Sequence, residues 1–104
     1  MANYLLAYQG GTMAQTPAEQ EKAMAAWGAW FGGLGDAVVD GGNPCGPSKL
    51  VASNGAVSDG APSKITGYSV IRADTLEKAA AMAKGCPLLA SGGSVEVYET
   101  FNVM

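Results

Sequence analysis

Two aspartates, four tyrosines and two tryptophans are the side chains best suited to chemistry in this sequence. Asp36 and Asp40 stand four residues apart, a spacing that on a strand turns both carboxylates to one face. A carboxylate drawn out of water beside an indole has a raised pKa and can act as a general base. Asp40 is the stronger candidate because Gly41, Gly42 and Asn43 follow it, and glycine backbone can come close to a ligand. Aspartate also suits turns, which is the commoner use of a pair flanking a short strand. Trp27 and Trp30 offer a flat aromatic wall for a planar ligand. Indoles at this spacing also serve, and more often, as core beneath a helix of small residues. Tyr4, Tyr8, Tyr68 and Tyr98 carry phenols able to polarise a substrate, although tyrosines on strands are usually packing residues. The candidate site joins Asp40 as base and Tyr68 as polarising group to Trp27, Trp30, Asn43 and Tyr4 as ligand contacts. It is expected between the first helix and the sheet, near the loop over 40–44.

Several other chemistries are excluded. Histidine is absent, which removes Ser-His-Asp triads, Cys-His pairs, His metal sites and any imidazole base. Ser69 then has no base to activate it. Cys45 and Cys86 match no metal or redox spacing and read as free thiols in a reducing cytoplasm. The Gly-Gly pairs at 10–11, 32–33, 41–42 and 92–93 fit neither a dinucleotide nor a Walker pattern. With no dense acidic cluster, no metal site is expected, and no cofactor. A net charge of -3 argues against a nucleic-acid partner. The uncharged run over 23–35 falls short of the about 20 residues a membrane helix needs, and the N-terminus lacks a secretory signal. A cytoplasmic protein without a membrane partner is the expectation.

The elements that must position these groups can be read in order. The chain has 104 residues, 48% of them apolar and 14% charged, which is expected to form one domain over 1–104 with a buried core. Residues 4–8 form an uncharged run predicting a central strand. Thr16, Pro17 and Glu19 predict a capped helix start. Ala23, Trp27, Trp30 and Leu34, flanked by Met24 and Phe31, make its apolar stripe. A short strand over 37–39 follows. Residues 49–52 and 56–58 predict a hairpin on a type I′ turn at Asn54-Gly55. An uncharged strand over 65–71 predicts a second central position. Asp74 as N-cap with Glu77 at N3 opens a second helix, whose face of Leu76, Ala79, Ala80 and Ala83 is thin enough to lie close to a sheet. A last strand over 94–101 carries Glu96 and Glu99 and is expected at an edge.

Without the hairpin this order is the ferredoxin-like βαββαβ plan, an α+β fold. Two helices cover one face of a four-stranded sheet. Yet Tyr4, Leu6 and Tyr8 alternate with Leu5 and Ala7, so both faces of the first strand are apolar. Left wet, the second face would be a larger apolar patch than a soluble monomer usually shows. A second copy packed sheet to sheet would cover it, and a homodimer is expected.

The stretch Gly67-Tyr68-Ser69-Val70-Ile71, the helix over 74–85, Cys86-Pro87 and Gly93-Ser94-Val95-Glu96-Val97 resemble the C-terminal half of the YCII-related (DGPF-domain) proteins. Asp59-Gly60 falls where that family has its Asp-Gly-Pro-Phe signature, here followed by Ala61 and Pro62. Gly41-Gly42-Asn43-Pro44 resembles the family's Gly-rich loop. The resemblance implies a dimeric α+β barrel, a fold that hosts monooxygenases, isomerases and dehydrochlorinases as well as proteins of unknown role. Some relatives place a His on the first helix beside an Asp as an acid–base pair; here Met24 to Trp27 occupy that part of the helix. The expectation is therefore binding of a small, partly aromatic metabolite, with cofactor-free proton transfer or elimination as its enzymatic version. A non-catalytic regulatory or interaction module is the alternative, since fold alone does not choose a function.

Overall fold

The computed structural model describes residues 1–11 and 15–103. In chain order the elements are β1 (Ala2–Gln9), α1 (Pro17–Leu34), a 3-10 turn (Gly35–Ala37), β2 (Val38–Asp40), β3 (Lys49–Val51), β4 (Val57–Asp59), β5 (Ile65–Ala73), α2 (Leu76–Ala83), a second 3-10 turn (Pro87–Ser91) and β6 (Ser94–Glu99). This is a mixed α+β fold with two α-helices and antiparallel sheets among the described residues. The main sheet runs β2-β5-β1-β6, and β3-β4 form a separate two-stranded sheet. β1 and β5, uncharged apart from Arg72 near the end of β5, take the two inner positions, and Glu96 and Glu99 lie on an edge. Charges on an edge discourage pairing with a further strand.

Pairing is antiparallel throughout, with Leu6 opposite Ser69 on one side and Val97 on the other. Alternation then sorts the side chains. Tyr4, Leu6, Tyr8, Ile71 and Ala73 face the helices and form the buried core with Ala79, Ala83 and Cys86. On the second face Leu5 meets Val70 and Tyr98, while Ala7 meets Tyr68. Neither helix lies on that side. Leu5, Tyr68 and Val70 are half-buried by their neighbours, and Tyr98 is exposed. The second face is thus mixed, its apolar centre flanked by exposed Asn3, Arg72 and Glu96, and the residues over 43–60, which include the β3-β4 hairpin, are themselves all exposed.

Local chemistry explains most element ends. Thr16 caps α1 by accepting from Glu19 N at 3.1 Å, and the Glu19 carboxylate reaches back to accept from Gln15 N at 2.7 Å. The cap of α2 is Thr75, which accepts from Lys78 N at 3.1 Å, and not Asp74. Asp74 pairs instead with the Lys78 ammonium at 3.3 Å. The hairpin turn also differs from type I′, which needs positive φ at both central residues. Only Gly55 has positive φ, at 87°, and its N–H donates to Ala52 O at 2.8 Å. The loop therefore holds three residues, with Gly55 taking the left-handed position. Met24 is 75% exposed and lies outside the α1 stripe. The last strand stops at Glu99, after which Thr100 N–H still donates to Asn3 O.

Candidate functional site

The helices sit on the same face of the sheet at different depths. On α2, Ala79 and Ala83 are buried against it. Side chains this small let backbones approach. On α1 no residue is fully buried, because large aromatics stand between helix and sheet. The Trp27 ring meets Tyr8 edge-on, with centroids 5.2 Å apart and planes at 75°. Trp30 follows at 5.7 Å from Trp27, and Phe31 lies 5.0 Å from Trp30. Edge-to-face stacking of this kind adds to area burial. Trp30 Nε1–H donates to Met82 O at 3.0 Å, so the indole is tied to the end of α2. Gly85 permits this approach, since a Cβ there would lie 3.0 Å from Trp30 Cδ1.

Where the aromatic layer ends, a cleft of about 860 Å3 opens between α1 and the 3-10 turn Pro87–Ser91. Its α1 wall is Ala23, Ala26, Trp27, Ala29 and Trp30, with Glu19 and Lys22 at one end; Gly85, Pro87 and Leu88 line the other side. Alanines beside indoles give a flat apolar surface, suited to stacking a planar ligand. Glu19 and Lys22 therefore put one carboxylate, which accepts from Gln15 N, and one ammonium at that end of the cleft.

Beneath Trp27 lies a buried polar chain. Tyr8 OH donates to Ser69 Oγ at 2.7 Å, and Ser69 donates onward to Gly41 O at 2.7 Å. Burial pushes the Tyr8 phenol up to about 12, opposed by the Ser69 hydrogen bond and aided by the Cys86 thiol. The chain joins the aromatic layer to the loop over 40–44. That loop is pressed onto β5: Gly42 sits at φ 73°, and a Cβ there would collide with the Tyr68 carbonyl.

Of the six residues singled out in the sequence, Trp27 and Trp30 line the cleft and four do not. Asp40 is exposed, and its Oδ1 accepts from Gly42 N at 2.8 Å in an Asx turn. Asp36 lies in the 3-10 turn Gly35–Ala37, so the two aspartates do not share a strand face. Tyr68 points to the sheet's second face, away from Trp27, because its neighbour Ser69 faces the helices. Asn43 is exposed and offers its carbonyl to Tyr68 N–H at 3.3 Å. Tyr4 is buried in the core, where burial, then Glu99, Glu77 and Asp74, raise its pKa. The structure therefore does not gather Asp40, Tyr68, Asn43 and Tyr4 around the indoles. The expected place was the loop over 40–44; the cleft lies against the second 3-10 turn instead.

Sequence reasoning missed the cleft's far wall. Pro87, at the first position of that turn, follows Gly85 at the α2 exit, and this Gly-Cys-Pro signal could have marked it. Cys45 is exposed and Cys86 buried, both free thiols, and burial raises the Cys86 pKa. Among the described residues no group of three or more His, Cys, Asp or Glu could hold a metal, and no helix is long and apolar enough to cross a membrane. No protein-family model matches the chain, and no curated protein matches its sequence.

Proposed function

We propose that this domain binds a small, partly aromatic metabolite in the cleft between α1 and the turn Pro87–Ser91. The observation that carries this reading is the open wall of Trp27 and Trp30, flanked by alanines and tied in place by the Trp30–Met82 hydrogen bond. Both indoles pack against the core on one side and keep a smaller part of their surface along a space large enough for a metabolite. Binding is favoured over turnover, because Asp40 and Tyr68 lie away from that wall. A thermal-shift screen of aromatic metabolites tests it. A ligand at 100 times its Kd adds about 2.7 kcal/mol of stability, and Trp27→Ala removes the shift. No shift across a broad aromatic library overturns the reading in favour of a module that binds no metabolite.

The same reading places the chain in the YCII-related family, with a ferredoxin-like βαββαβ sheet into which the β3-β4 hairpin is inserted. The strand order β2-β5-β1-β6 supports it, as do the motifs quoted above. It further makes the protein a homodimer paired through the second sheet face, around Leu5, Ala7, Tyr68, Val70 and Tyr98. Light scattering that returned one chain mass at micromolar concentration would overturn the pairing.

A further inference from the structure

The β3-β4 hairpin stands off the body of the domain. Its strands pack on each other rather than on the main sheet or the helices, and the residues over 43–60 are all exposed. The molecule as a whole is also expanded, the largely exposed α1 contributing beside the hairpin. The Cα radius of gyration is 15.1 Å, against about 13 Å for a compact chain of 100 residues. The accessible surface is 7119 Å2, where a compact 10.5 kDa monomer exposes about 5,400 Å2. The surplus of about 1,700 Å2 exceeds the about 800 Å2 that each partner contributes to a standard interface. An arm and a sheet face can both be covered within it.

A lone two-stranded ribbon is marginal in water, and this one holds its apolar side chains out. Leu50 is 40% exposed, Val51 66% and Val57 61%. Val51 and Val57 are cross-strand partners, so they form one apolar spot. Lys49 and Asp59, the pair two residues along, share that face and are joined at 2.6 Å. One cation and one anion beside an apolar spot make a patch complementary to its own copy. In a two-fold contact each patch meets the same patch or its neighbour, and a single-sign patch would repel.

We propose that the β3-β4 hairpin is a docking arm whose Val51–Val57 face seats on a second copy of this chain. The proposal rests on the sheet-face pairing above and adds the arm to that interface. Its test is analytical ultracentrifugation of the wild-type chain and of a Val51→Asp/Val57→Asp variant, with circular dichroism to confirm that the body is folded. The expected result is a wild-type dimer and a dimer Kd raised at least about tenfold in the variant. Because the aspartates could loosen the ribbon itself, wild-type hydrogen exchange gives a second reading. Amides over 49–59 should exchange more slowly at high protein concentration than at low. A variant Kd equal to wild type, with arm exchange independent of concentration, overturns the arm and leaves the sheet pairing standing. A monomeric wild type overturns both.

Discussion

The two helices cap alike and pack differently. Thr16 and Thr75 each accept from the third residue on at 3.1 Å, so the contrast does not come from their starts. It comes from the side chains facing the sheet. Ala79 is 0% exposed on α2, while the best-packed residues of α1, including Trp27 and Trp30, remain half-buried. Small residues bring a helix down to the strands and seal the joint. Large rings prop the other helix up and leave an unsealed margin beside it. The contrast teaches that the cleft is a by-product of residue size on one helix, and that its wall and the core are made of the same indoles.

The comparison can be broken or sharpened by experiment. Ala79→Leu should cost about 3 kcal/mol, since the site has no spare volume, read as a urea midpoint shift at unchanged slope. A loss below about 1 kcal/mol would mean α2 can be propped up as α1 is. High pH probes the aromatic side. Folding favours the neutral Tyr8 phenol, with its pKa moved from 10.0 to about 12. Stability should be full below pH 10 and fall as pH rises towards 12. Tyr8→Phe should flatten that fall in a pH series of thermal melts. Trp30→Phe removes the donor to Met82 O and should cost about 1.5 kcal/mol. Thr16→Ala and Thr75→Ala should each cost about 1 kcal/mol by the same measurement; unequal losses would break the claim that the helices begin alike. Ala26→Leu, facing the cleft, should change stability by no more than about 0.5 kcal/mol while narrowing the space for any ligand that thermal shift detects.

Much of this contrast was legible in the sequence. The uncharged runs over 4–8 and 65–71, apolar on both faces, predict two inner strands, and β1 and β5 take those positions with Arg72 just beyond the run. The Thr16-Pro17-Glu19 start and the alanine face of α2 also follow from side-chain chemistry alone. At Asp74-Thr75 two competent caps stand side by side, and only the final geometry chooses Thr75. The Asn54-Gly55 turn fits two loop lengths that share the same glycine. The turn Pro87–Ser91 is too short to show a period. The site was the least legible part. Asp40 opens the loop over 40–44, which does not line the cleft, and strand alternation sends Tyr68 to the other face. The buried link from Tyr8 through Ser69 to Gly41 spans residues far apart in the chain, and no local pattern announces it.

The outer rims of the main sheet are poor templates for a further strand. On one rim β2 is three residues long and gives way to Pro44, bridged to Gly67, where a proline brings no N–H to a newcomer. On the other, β6 carries Glu96 and Glu99, whose like charges repel a second β6 laid alongside. Lateral growth, the route by which sheets run on into fibrils, is blocked at both rims. Neither rim of the sheet therefore presents a long, uncharged edge on which a further strand could pair.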